Sequence, residues 1–262
     1  MMEYSTYYET KLYPLQDEVL KKLKSLEQPF YLTGGTAVSR GYLHHRYSDD
    51  LDLFVNNDDN FLNRIDNIIT FFQKEGYKIE VYENSSPDFC RLYLNKNING
   101  INKNGLKIDF VNDIDIHYGE IQETNVYYRT DSIRNILSNK YTALYRISIK
   151  DVVDICEIAK NFSFNWKEII AEANEKEVGI DLKEVVQIFN SYTEENFAKV
   201  KWIKTPDMGQ LKQTLNIISS DMLNQTENSL CKDIATLNLH SSTKKSSRQQ
   251  RQKRNDDYGY GR

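Results

Sequence analysis

Two aspartates one residue apart, Asp50 and Asp52, stand in the stretch Asp50-Leu51-Asp52-Leu53-Phe54-Val55. In a strand this alternation puts both carboxylates on one face and Leu51 and Leu53 on the other. Side by side they repel each other, and burying either one unpaired is costly, so a cation belongs with them. Hard oxygen donors suit Mg²⁺ or Mn²⁺. Upstream, Phe30 to Thr33 reads as a short buried strand running into Gly34 and Gly35, whose lack of a Cβ allows a tight turn. A helix from Thr36 to about Leu43 follows, and the turn with the helix start offers backbone N–H groups to an anion such as a phosphate. Gly-Gly-Thr alone is commonly just a turn, and Asp-x-Asp alone is commonly solvated surface. A phosphate cradle at Gly34, Gly35 and Thr36 ahead of a metal-binding carboxylate pair implies phosphoryl or nucleotidyl transfer. Asp109, flanked by Ile108 and Phe110 in an apolar run, is a further carboxylate that needs a reason. Asp49 points to the opposite strand face. Asp113 and Asp115 follow a strand end where Asn112-Asp113 is ordinary turn chemistry.

The elements that must position these groups follow from periodicity. Residues 7–27 place Leu12, Leu15, Val19, Leu20, Leu23 and Leu26 near helical spacing, with Pro14 arguing for a break just before it. After the Asp-x-Asp strand, Asn57 to Asn60 supplies caps for a helix from about Phe61 to Glu75, which Gly76 ends. Tyr77–Tyr82, Phe89–Leu94 and Leu106–Val111 read as strands, the last two joined by a hairpin loop dense in Asn, Lys and Gly. From about Asp131 no convincing long strand remains, and helices are expected over 131–146, 149–161, 165–177, 181–192 and 207–223. The layout predicted is an α/β half (1–130), a helical domain (131–223) and a flexible, partly basic tail (224–262).

At 262 residues the chain can bury a substantial core, to which its eighteen tyrosines contribute. No apolar run is long enough to span a bilayer, and the first residues lack the pattern of a secretion signal. Cys90, Cys156 and Cys231 are far apart and not spaced as metal ligands, which suits reduced thiols in a cytoplasmic protein. The net charge is −4, a mild argument against a nucleic-acid partner. Residues 241–262 carry seven Lys or Arg against two Asp, so residues 1–240 carry −9. Such a tail is either a solvated end without a role or a non-specific hold on an RNA backbone. No G-x-S-x-G elbow, Walker lysine or dinucleotide-binding fingerprint is present.

Gly35-Thr36, thirteen residues, then Asp50-Leu51-Asp52-Leu53 resembles the glycine-to-DxD motif of the DNA polymerase β-like nucleotidyltransferase superfamily. The fuller string Gly34-Gly35-Thr36-Ala37 … His45-Arg46-x-Ser48-x-Asp50-Leu51-Asp52-Leu53-Phe54 looks like its AbiEii-type branch, the toxin halves of bacterial toxin–antitoxin pairs. The resemblance covers roughly residues 31 to 155. It implies a polymerase β-like core with a mixed sheet, and a strand beside the Asp-x-Asp strand that brings Asp109 to the same metals as Asp50 and Asp52. It further implies that Arg46 and Ser48 add a cation and a hydroxyl to the nucleotide cradle. Lys140 … Lys150-Asp151 … Asp154 is similar to the family's later motif, which puts Lys140 on a triphosphate oxygen and Asp151 near the nucleotide. Plain alternatives are loop solvation for Arg46 and Ser48, and a helix start for Asp151, with Arg146, Lys150 and Asp154 as ion-pair partners. His45 carries over from the string without an assigned role. The activity implied is Mg²⁺-dependent transfer of a nucleoside monophosphate from an NTP to an acceptor hydroxyl, with RNA such as the tRNA 3′ end as acceptor and an antitoxin as partner. The readings that compete are transfer to a small molecule or a protein side chain, and a catalytically idle nucleotide- or partner-binding module.

Overall fold

The apolar run before the glycines forms β1 (Tyr31–Thr33), and the alternating run forms β2 (Leu51–Asn56), whose burial alternates residue by residue. Leu51, Leu53 and Val55 enter the core, while Asp52 and Phe54 face the other side. The computed structural model describes residues 2–95, 105–114 and 116–231. The body of the expected hairpin loop (96–104), Asp115 and the basic stretch from Ser241 lie outside the described residues. Beyond β2 come β3 (Lys78–Ser86), β4 (Phe89–Asn95) and β5 (Leu106–Asp113). The sheet order is β1-β2-β5-β4-β3, with β2 and β5 parallel and every other pair antiparallel. It is therefore a mixed sheet with the parallel pair inside it, and the fold is α/β.

The helices use one face of each amphipathic segment. At the N-terminus α1 (Met2–Tyr7) and α2 (Tyr13–Ser25) are joined by a π-helical stretch (Tyr8–Leu12). No break precedes Pro14. The wider π turn lies where a residue lacking an N–H would interrupt regular bonding. A second departure follows β1: α3 (Gly34–Thr36) is one turn that continues as a π stretch (Ala37–Leu43) and stops at His44 in the left-handed region. Helix α4 (Phe61–Lys74) buries Phe61, Ile65, Ile68 and Phe72 beneath the sheet. The later helices are α5 (Ile133–Ala143), α6 (Ile149–Asn161), α7 (Trp166–Lys176), α8 (Leu182–Asn190), α9 (Glu194–Ala198) and α10 (Met208–Asn224). Only α9 has no counterpart among the helices expected from periodicity. It is short and begins in a capping box at Thr193.

One hydrophobic core joins the sheet's inner face, α2 and α4 to Leu137, Val152, Ile155, Trp166 and Phe189 of the later helices. Two backbone seams add to it. Leu32 N–H donates to the Arg129 carbonyl and Asp131 N–H donates to that of Leu32, each at 2.8 Å, so the chain before α5 runs along the outer edge of β1. Tyr47 N–H likewise donates to the Lys201 carbonyl at 2.8 Å. The three cysteines are buried and free. Among the described residues no helix is long and apolar enough to cross a membrane.

Candidate active site

Strand register brings the acids together. In the parallel pair Asp52 lies directly opposite Asp109, and in the antiparallel pair Arg91 lies opposite Asp109. All three side chains project from the face of the sheet away from α4, into a cleft of about 550 Å³ whose far wall comes from α5 and α7. Asp50, just before β2, is bound by Lys107 Nζ at 2.8 Å, and the same ammonium lies 3.4 Å from Asp109. Arg91 grips Asp109 with both arms, Nε at 2.7 Å and Nη2 at 2.9 Å. Asp50 and Asp109 thus have direct cationic partners; among the described residues Asp52 has none. Although part of its surface opens to the cleft, burial raises the Asp52 carboxyl, and the neighbouring Asp109 and Asp50 raise it further, to about 6.

The glycine turn closes against this acid. Gly34 has φ +65°, and a Cβ there would overlap the Asp52 carboxylate. At Gly35 a Cβ would come within 2.6 Å of Arg46 Nη2. Both glycines line the cleft. Thr36, Arg46 and Ser48 lie behind the turn instead. Thr36 Oγ1 donates to the Asp50 carbonyl at 2.5 Å and sits 2.9 Å from Ser48 Oγ, tying the turn to the start of β2. The Arg46 guanidinium is buried and donates to both oxygens of Asp154 at 2.7 Å. None of these three side chains lines the cleft.

Lys140 and Asp151 do line it. Lys140 Nζ is 2.9 Å from Asp151 and 2.6 Å from Asp154. Burial alone would lower the Lys140 ammonium, but the charges of Asp154 and Asp151 outweigh it and hold the group above its usual value. Asp154 is the hub of this cluster: fully buried, it also lies 2.7 Å from His45 Nε2. Burial would raise its carboxyl, yet Arg46, Lys140 and the His45 hydrogen bond hold it well below the ordinary carboxylate range. His45, given no role by the sequence, orients this hub.

Asp52 and Asp109 therefore share one edge of the cleft, with Gly34 and Gly35 beside Asp52 and Lys140 across from them, while Asp50 lies outside the lining and is joined to Asp109 through Lys107. Sequence reasoning did not single out Arg91 or Lys107. Both alternate onto the site face of their strands, at positions 91 of β4 and 107 of β5. That alternation was readable, but the neighbouring strand was not. Among the described residues no group of three His, Cys, Asp or Glu side chains is arranged to hold a metal ion, and Lys107 and Arg91 engage two of the three acids. The donors still fit a hard divalent cation, because Asp52 and Asp109 are adjacent carboxylates and Asp52 lacks a direct cation of its own.

The family model for the nucleotidyl transferase AbiEii toxin of type IV toxin–antitoxin systems matches residues 18–199. The chain belongs to the AbiEii nucleotidyltransferase toxin family. As an AbiEii protein it is a nucleotidyltransferase, and the glycine turn, Asp50, Asp52, Asp109, Lys140 and Asp151 all fall inside the matched span. MenT4, a nucleotidyltransferase toxin from Mycobacterium tuberculosis, is similar in fold, with a TM-score of 0.58 at 14% identity over 81% of this chain and 83% of that one. JHP933 from Helicobacter pylori gives a TM-score of 0.50 at 18% identity over 79% of this chain and 90% of that one. No curated protein matches the AbiEii chain significantly in sequence.

Proposed function

We propose that this AbiEii toxin transfers a nucleoside monophosphate from an NTP to a hydroxyl of RNA, at the tRNA 3′ end, in a Mg²⁺- or Mn²⁺-dependent reaction restrained by an antitoxin. The observation that carries the proposal is the register pairing of Asp52 with Asp109 beside a glycine turn too close to Asp52 for any side chain. Divalent cations held by Asp50, Asp52 and Asp109 would offset the triphosphate's charge and favour departure of pyrophosphate. The glycines let the turn close against Asp52 and Arg46, where a Cβ would collide, and would offer its backbone N–H groups to phosphate oxygens. Lys140, held by Asp151 and Asp154, presents a fixed positive charge to the triphosphate. Arg91 and Lys107 act as counter-charges for Asp109 and Asp50. The acceptor oxygen forms a bond to the α-phosphorus, the α–β bridging bond breaks, and the proton passes to the Asp109 carboxylate.

The test is incubation of the purified chain with each labelled NTP, Mg²⁺ and total RNA. Label on tRNA is the expected result. Label on protein or on a small molecule favours the competing acceptors, a reading supported by the −9 charge of residues 1–240. Bound nucleotide with no transfer to any acceptor overturns the catalytic reading.

A further inference from the structure

On the cleft face of the sheet, side chains fall into rows set by register. Asp52, Asp109 and Arg91 form one row, and Phe54, Val111 and Phe89 form the next. These three apolar side chains are half-buried and line the cleft, yet they stand outside the hydrophobic core and are not packed against it. A half-buried apolar strip beside a row of charged groups in a cleft, with Phe54 backed by the buried Tyr31 ring at 6.3 Å, is the kind of surface that a ligand covers. Phe54 and Phe89 are two strand spacings apart, roughly 10 Å, which leaves room for a flat heterocycle across Val111. Arg91 places its guanidinium 5.3 Å from the centre of the Phe89 ring, at the border of the two rows.

The position of the strip relative to the acids limits what can lie on it. Because β1 is antiparallel to β2, Tyr31 pairs with Phe54 and Thr33 with Asp52, so the chain carries Gly34 and Gly35 past Asp52 towards Asp50. The glycine turn and the apolar row therefore flank the Asp52–Asp109 row from opposite sides. In phosphoryl transfer the entering and leaving oxygens are roughly in line through phosphorus. With pyrophosphate leaving on the glycine side, the acceptor enters from the side of Phe54 and Phe89. We propose that Phe54, Val111 and Phe89 form a shelf on which the terminal base of a polynucleotide acceptor stacks, bringing its hydroxyl to Asp109. This rests on the reading of Asp52 and Asp109 as the transfer centre. Stacking also suits a chain whose residues 1–240 carry −9, because aromatic faces hold a base without needing many phosphate contacts.

The test uses the full chain in Mg²⁺ and fluorescein-labelled single-stranded RNA decamers that end in either an intact nucleotide or an abasic ribose. By anisotropy the intact decamer should bind roughly tenfold more tightly than the abasic one. Phe89→Ala should erase that difference and Phe89→Trp should keep it, which separates stacking from mere folding. Equilibrium dialysis of labelled NTP should change less than about twofold in Phe89→Ala, well below the effect of losing a stacked base. Equal binding of the two decamers, or none at all, overturns the shelf. Loss of NTP binding in Phe89→Ala with decamer binding intact overturns it too, by assigning the strip to the NTP's own base. Base-dependent decamer binding without any NMP transfer leaves the shelf standing and fails only the catalytic reading.

Discussion

Asp154 and Asp52 are both carboxylates enclosed by charge, and their surroundings pull them in opposite directions. Arg46, Lys140 and His45 converge on Asp154 and hold it ionised far below the usual range. Asp52 faces Asp109 and Asp50 with no direct cation among the described residues, and it is pushed up to about 6. The first is a buried network of ion pairs that fixes the loop at Arg46 to α6. The second is left without a direct cation, which on the proposed reading an incoming metal ion would supply. On the proposed reading the difference separates an aspartate that holds the architecture from one that holds the chemistry.

The strongest way to break the contrast is at the Asp154 end. Asp154→Ala leaves Arg46 and Lys140 buried without their shared partner and should cost about 3–5 kcal/mol, read as a lower urea midpoint at unchanged slope. Next is Gly34→Ala, which combines an unfavourable positive φ with a collision at Asp52. A loss of about 1–2 kcal/mol is expected from the backbone alone, together with weaker NTP binding by dialysis. Asp52→Asn should move stability the other way, up by about 1–3 kcal/mol without metal, while abolishing transfer. Retained transfer in that variant would remove Asp52 from the mechanism.

The contrast is sharpened by pH dependence, where the two acids have opposite signs. For Asp52 the folded value, about 6, lies above the ordinary carboxylate value of 3.8. The folded state therefore binds the extra proton between these values, and stability falls as pH rises through that window. Asp154 is depressed instead, so its contribution is complete above the ordinary carboxylate range and is lost as acid protonates it. Metal-free wild type should lose stability relative to Asp52→Asn from about pH 4 to about pH 6, measured by urea titrations across that interval. Parallel curves for the two proteins would show that Asp52 is not held up by its neighbours.

The parts legible in the sequence are those governed by local spacing. The alternation of Leu51 to Val55, the helix at Phe61 and the strand around Asp109 all appear where periodicity puts them. The glycine turn was legible as well, because Gly34 needs its positive φ. Long-range partners were not. Nothing local states that β5 lies beside β2, although that choice alone sets Asp109 against Asp52. The Arg46–Asp154 pair joins residues separated by 108 positions, so a cation expected at the nucleotide cradle instead lies in a buried network behind it. Pro14 marked an irregularity correctly in place but not in kind. A helix can absorb the missing donor by widening, and sequence cannot distinguish that outcome from a break.

The strip of chain from Arg129 to Asp131 along β1 also bears on self-association. A sheet invites a foreign strand wherever a border presents unsatisfied amides, and here that border is occupied by the protein's own backbone. At the opposite border, register slips in β3 between Val81 and Ser86 interrupt the even ladder that an added strand would have to match. Both margins are thus poor templates for an added strand from another copy of the chain.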